Sequence, residues 1–194
     1  MYLAYKFRMY PNDKQKELIN KSFGCGRLIY NHYLAKIKEE GYTNCYTNIK
    51  DYTSKLKYDY PFLQEIDSII IRKEIFNLED NLKRYYNNGF GYPKFKSKYK
   101  RNSYTTNAVY RNYKYKNYCN IELDLENKLI KLPKLNKVKI RGYRKLTSIE
   151  GRIINATISK EINEKYYVSV VFEQPNKNKK ALPNSIVGID IGIK

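Results

Sequence analysis

The sequence predicts an α+β protein. Three patterns carry that reading: one period-2 strand at the start, amphipathic helices through about residue 90, and short alternating segments after it. In "YLAYKFRMYP" Leu3, Tyr5, Phe7 and Met9 share one side and Ala4, Lys6 and Arg8 the other, until Pro11 breaks the strand. "NDKQ" then offers Asn12 as a helix cap with Gln15 three residues on, the spacing of a capping box. Leu18, Ile19, Phe23, Ile29, Tyr30, Tyr33, Leu34 and Ile37 follow at helical spacing, loosened at "GCG", residues 24–26. The stretch "KSFGCGRLIYNHY" fits either a helix-turn-helix or one continuous or kinked helix. A shorter helix is expected from about Thr47 to Lys57. A third, marked by Ile71, Ile75, Leu78, Leu82 and Tyr85, covers roughly Asp67 to Asn87.

From there the pattern changes. "NNGFGYPKFKSKYKRNSYTTN", residues 87–107, is glycine-punctuated, basic and aromatic with no amphipathic period, and reads as a loop. Strand signals come next in "NIELDLE", "KLIKLP" and "KVKIRGY". "RIINATISK" and "KYYVSVVFE" follow as a hairpin across the polar turn "EINE". "QPNKNKKALPNS" is a proline-bounded lysine linker, and "SIVGIDIGIK" is a further strand. It has Val187, Ile189, Ile191 and Ile193 on one face and Gly188, Asp190, Gly192 and Lys194 on the other.

The charge narrows the function classes. Lysine and arginine total 38 against 19 acids, a net charge of +19, which favours a polyanionic partner. Nothing in the sequence reads as a membrane span, a signal segment or a basic amphipathic helix, so a soluble intracellular protein is expected. Cys25, Cys45 and Cys119 are odd in number and unpatterned, which argues against a disulfide framework or a zinc knuckle. His32 is the only histidine, which removes histidine-based triads and metal sites. The 22 tyrosines accompany abundant lysine, asparagine and isoleucine, as an A+T-rich coding sequence would give, so only tyrosines inside basic runs carry functional weight.

Five segments, in order, resemble the TnpB (OrfB) proteins of bacterial insertion sequences, RNA-guided DNA endonucleases related to the miniature type V CRISPR effectors. They are "YKFRMYPNDKQKELINKSFGCGRLIYNHYLA", "FLQEIDSIIIRKEIFNLEDNLKRYY", "GYPKFKSK", "IKLPKLNKVKI" and "VGIDIGIK". The resemblance implies a wedge-type β-barrel interrupted by a helical recognition insertion and followed by the first strand of an RNase H-like (RuvC) domain. On that division residues 1–10 are a wedge strand and 11–90 the helical insertion. Residues 91–180 are then the basic loop and wedge barrel, and 181–194 the linker and a first, truncated RuvC strand. The expected partners are guide RNA and target-adjacent double-stranded DNA, without a membrane, in a bacterial cytoplasm and on the nucleoid when bound to DNA.

The same resemblance places Asp190 at the first RuvC carboxylate, a ligand for Mg²⁺ in a full-length chain. Two-metal phosphodiester hydrolysis needs several carboxylates holding cations about 4 Å apart, so one aspartate makes an incomplete site. The residues alone offer a second reading of Asp190, as a turn-side acid. In the basic loop, Lys94, Lys96, Lys98, Lys100 and Arg101 would neutralise phosphates, while Tyr92, Phe95 and Tyr99 would stack on bases. A solvated lysine run with its rings tucked into the barrel is the alternative. Thr53, Ser54, Ser68 and Arg72 are the candidates for DNA contact, Ser68 and Arg72 lying one helical turn apart; an ordinary exposed face explains them equally. The function expected is therefore the nucleic-acid-binding part of a TnpB-like endonuclease, inactive in cleavage by itself. A stand-alone binding module or repressor, or a decayed reading frame, is the alternative.

Overall fold

The computed structural model describes residues 1–41, 49–99, 102–113, 116–142, 149 and 151–174. Strand β1 (Tyr2–Tyr10) runs into helix α1 (Asp13–Glu40), followed by α2 (Ile49–Asp59), a 3-10 turn at Pro61–Gln64, and α3 (Ser68–Asn88). Eight strands follow: β2 (Asn102–Asn107), β3 (Tyr110–Tyr113), β4 (Lys116–Cys119), β5 (Glu122–Asp124), β6 (Leu129–Leu132), β7 (Asn136–Arg141), β8 (Arg152–Lys160) and β9 (Tyr166–Glu173). The α+β class is borne out.

Local chemistry explains most of the element boundaries. Asn12 accepts a hydrogen bond from the Gln15 backbone at 2.9 Å, and the Asn12 N–H donates to the Gln15 side chain at 3.0 Å, so the capping box forms as its spacing requires. Gln15 Nε2 also donates to the carbonyls of Leu135 and Lys137, both at 3.0 Å, tying the start of α1 to the β6–β7 turn. α1 then continues for 28 residues straight through Gly24 and Gly26. Two interior glycines cost helix propensity, but Ile19, Phe23, Ile29, Tyr30, Tyr33, Leu34 and Ile37 are all buried along it. α3 starts at Asp67, whose side chain accepts from Ile69 N–H, and stops at Gly89, which sits at φ +67. That left-handed turn is where glycine's lack of a Cβ matters.

β1 lies in the interior of the sheet, antiparallel to β9 from Tyr2↔Glu173 to Met9↔Tyr166 and to β7 from Arg8↔Arg141 to Tyr10↔Lys139. The order is β2-β8-β9-β1-β7-β6-β5, with β3 and β4 forming a separate two-stranded ribbon. Among the described residues the sheet is open: β2 and β5 are its two edges, and they do not pair into the closed barrel that the resemblance led us to expect. One physical reason lies in β2. Its inward residues Tyr104 and Thr106 face the helices, with Phe23 and Tyr104 ring centroids 5.6 Å apart and Thr106 donating to buried Asp67. Helices and sheet share one hydrophobic core, from Ile19 and Leu78 to Val168 and Phe172.

The strands β2, β3 and β4 were not expected from the sequence. "NSYTTN" has a single large apolar residue, and β2 exists because every residue from Asn102 to Asn107 pairs with β8, with a Thr105–Thr157 hydroxyl bond of 2.9 Å across the ladder. The expected strand at 185–194 and its linker lie outside the described residues.

Candidate nucleic-acid interface

The basic aromatic segment from Gly89 to Tyr99 has no regular secondary structure, yet α1 holds it firmly. The Asn31 side chain makes a two-way bond to Lys96, accepting from its N–H at 2.7 Å and donating to its carbonyl at 3.0 Å. Lys96 Nζ reaches inward to Glu74 on α3, whose side chain is only 5% exposed, and lies 4.3 Å from the centre of the Tyr30 ring. Pro93, within the loop, is buried. A segment clamped at its middle in this way keeps its remaining side chains in a fixed relation, which lowers the ordering cost of binding.

The candidate residues divide into three groups. Lys94 and Lys98 are exposed, as phosphate contacts require, and Lys98 Nζ lies 5.2 Å from the centre of the Tyr99 ring. Lys96 is instead committed to Glu74 and Tyr30, so the structure gives it an internal task that the evenly spaced lysines did not reveal. Lys100, Arg101 and Asp190 lie outside the described residues.

The rings also separate. Tyr99 is 88% exposed and Phe95 49%. Tyr92 is half-buried, and that burial pushes its phenol pKa up. It meets Tyr85 edge-on at 5.1 Å, and Lys38 Nζ from the last turn of α1 lies 5.7 Å from the Tyr92 centroid and 4.7 Å from that of Phe95. Lys38 and Tyr85 were missed from the sequence, because helical periodicity places a residue on a face without saying which distant loop covers it.

Beyond Tyr99 the surface opens into a groove of about 830 Å³ lined by Lys6, Lys98, Tyr99, Asn102 and the β8–β9 hairpin turn. Two of its cations have carboxylate partners, Lys6 with Glu161 at 3.3 Å and Lys160 with Glu164 at 2.7 Å. Ser68 and Arg72 are exposed on the first turns of α3, on one side of the helix. On α2, Ser54 is exposed and Thr53 half-buried; as consecutive residues they point in different directions around the helix. α2 is anchored to α1 by a 2.7 Å bond between His32 Nδ1 and the Tyr52 hydroxyl. Among the described residues no three His, Cys, Asp or Glu side chains gather as a metal site, and no helix is long and apolar enough to cross a membrane.

Residues 1–44 match the family model of the OrfB helix-turn-helix domain. In this structure that segment is β1 followed by one unbroken helix over Asp13–Glu40, so the continuous alternative describes its backbone. Across 98% of its length the chain is 24% identical to the Escherichia coli protein named "Putative RNA-guided DNA endonuclease InsQ". It is 26% identical, again across 98% of its length, to a Streptomyces pristinaespiralis protein named "Putative RNA-guided DNA endonuclease". The chain spans about half the length of these relatives, 45% and 46% respectively. With an OrfB-type domain match at its start and such relatives along nearly all of its length, the chain is similar to TnpB-like (OrfB-like) proteins, the family its motifs resemble.

Proposed function

We propose that this chain is the nucleic-acid-binding part of a TnpB-like RNA-guided DNA endonuclease, holding guide RNA and target-adjacent duplex DNA. The observation that carries the reading is the clamped loop, which presents Lys94, Phe95, Lys98 and Tyr99 on a chain of net charge +19. Tyr92 packs against Tyr85 and shares Lys38 with Phe95, and Lys96 ties the loop to Glu74. Lys100 and Arg101 extend the same basic run in sequence. Ser68 and Arg72, with Ser54 and Thr53 on the neighbouring helix, are proposed for the DNA side. On this reading the open sheet and its docked helices correspond to the wedge and recognition parts of the family.

Cleavage is proposed only for a longer protein, in which Asp190 and further carboxylates would hold Mg²⁺. That metal would activate water and steady the leaving oxygen. The described residues contribute binding and orientation.

The test is a titration of RNA and duplex DNA over a range of salt. If about six phosphates are neutralised, log K should fall against log salt with a slope near −5 on B-DNA. Lys94→Ala with Lys98→Ala should weaken RNA binding and flatten the slope by roughly one for each phosphate no longer neutralised. An affinity independent of salt, or no binding at about 50 mM salt, refutes the reading.

A further inference from the structure

Four aromatic side chains, Tyr85, Tyr86, Tyr92 and Phe95, gather where α1 and α3 end together, and a fifth, Phe90, lies on the chain between them. Tyr85 meets Tyr86 at 5.0 Å with an interplanar angle of 70° and Tyr92 at 5.1 Å and 87°. Lys38 bridges Tyr92 to Phe95, and Phe90 follows the left-handed turn at Gly89. Tyr92 packs against the core, but the other four rings do not belong to it: Tyr86 is 56% exposed, Phe90 59%, Phe95 49% and Tyr85 37%. So much aromatic surface in one place marks a binding face.

Charge identifies the occupant. Between Asp80 and Glu122 the sequence contains no acidic residue, and exposed Lys83, Arg84 and Lys94 lie on the stretch that carries the rings. A polyanion that also offers flat π-faces satisfies both features. In a duplex the base faces are stacked on one another and shielded, whereas unpaired nucleotides expose them. Rings set nearly perpendicular to their neighbours suit bases splayed in different directions better than the regular wall of a helix.

We propose that Tyr85, Tyr86, Phe90 and Phe95, with Lys38 beside Phe95, form a stacking platform for unpaired RNA nucleotides, so that this end of the molecule distinguishes single-stranded from paired RNA. The proposal rests on the reading that the chain binds nucleic acid, and it assigns a ligand class to residues, Tyr86 and Phe90 above all, that were not among the candidate contacts read from the sequence.

The experiment measures binding of the chain to a labelled RNA of about 12 nucleotides, unpaired or annealed to its complement, and to single-stranded DNA of the same sequence. Tyr86→Ala and Phe90→Ala should each lower affinity for the unpaired RNA about 5- to 100-fold while changing duplex affinity by less than about twofold. Tyr86→Phe should retain binding, and none of these variants should alter the salt slope, because no cation is removed. Thermal melts of the variants should match the parent, both positions being exposed. Equal losses on unpaired and duplex RNA, or no loss on either, overturn the platform while leaving nucleic-acid binding intact. An equal loss on single-stranded DNA keeps the stacking but overturns RNA as its particular ligand. Failure of the parent chain to bind any of the three overturns the underlying reading together with the platform.

Discussion

Lys96→Ala separates a lysine that shapes the loop from those that face solvent. Lys96 Nζ is paired with Glu74, whose side chain is 5% exposed, and lies 4.3 Å from the Tyr30 centroid; the Lys96 side chain itself is 36% exposed. Removing one partner of a fully buried ion pair costs roughly 3–5 kcal/mol, because the remaining charge is stranded. Here water reaches the lysine side of the pair, which screens the interaction and brings the expected destabilisation to about 1–3 kcal/mol, with the cation–π attraction to Tyr30 included. For a domain of this size, each kcal/mol lowers Tm by about 2–4 °C, so thermal unfolding followed by circular dichroism should shift down by roughly 2–12 °C. Lys94→Ala, at an exposed position, should change stability by less than about 0.5 kcal/mol. In a Glu74→Gln background the Lys96→Ala cost should shrink by about 1 kcal/mol, since no charge is left stranded. Unchanged melting of Lys96→Ala together with an RNA-affinity loss equal to that of Lys94→Ala would overturn this assignment, because Lys96 would then be serving the ligand and not Glu74.

Gly24→Ala and Gly26→Ala should each be neutral or stabilising, by up to about 1 kcal/mol in urea unfolding, since both sit inside a continuous helix. An added Cβ at Gly26 would lie 3.5 Å from Glu74 Oε1, an ordinary contact, so a loss above about 1 kcal/mol at either site would show that the backbone turns there. Complete burial raises the Tyr104 phenol far above its ordinary value of 10.0, with Asp67 adding to the effect. The folded chain therefore keeps a proton that the unfolded chain releases above pH 10, so stability should fall as pH rises through that value. Tyr104→Phe should make this alkaline limb shallower in unfolding measured against pH, and an unchanged limb would place the ring in water.

The legible parts of this protein are those whose cause lies within a few residues. Alternation in "YLAYKFRMY" put Phe7 and Met9 inward, Asn12 and Gln15 announced their capping box, and "EINE" closed the β8–β9 hairpin. The expected span of α3, Asp67 to Asn87, fell within one residue at each end, because Asp67 caps it and Gly89 ends it. β2 was invisible for the opposite reason. Tyr104 and Thr106 make a weak alternation that becomes a strand only when β8 supplies the hydrogen bonds.

The candidate interface divides in the same way. Composition and spacing by themselves determined that the chain is basic, that its cations and rings concentrate near residues 92–101, and that its motifs follow a TnpB-like order. Only the tertiary structure decided which of those side chains face out. Lys94, Lys96 and Lys98 are equivalent in sequence, yet Asn31 fixes the loop so that Lys96 turns inward to Glu74 while its neighbours stay in solvent. Lys38 joins Tyr92 and Phe95 although more than fifty residues separate them in the chain, because α1 and α3 pack together with Gly26 close to Glu74 and the Tyr33 hydroxyl bonded to Glu79. Local periodicity assigns a side chain to a face; the partner waiting at that face is set by packing between distant segments, which a pattern of neighbouring residues does not encode.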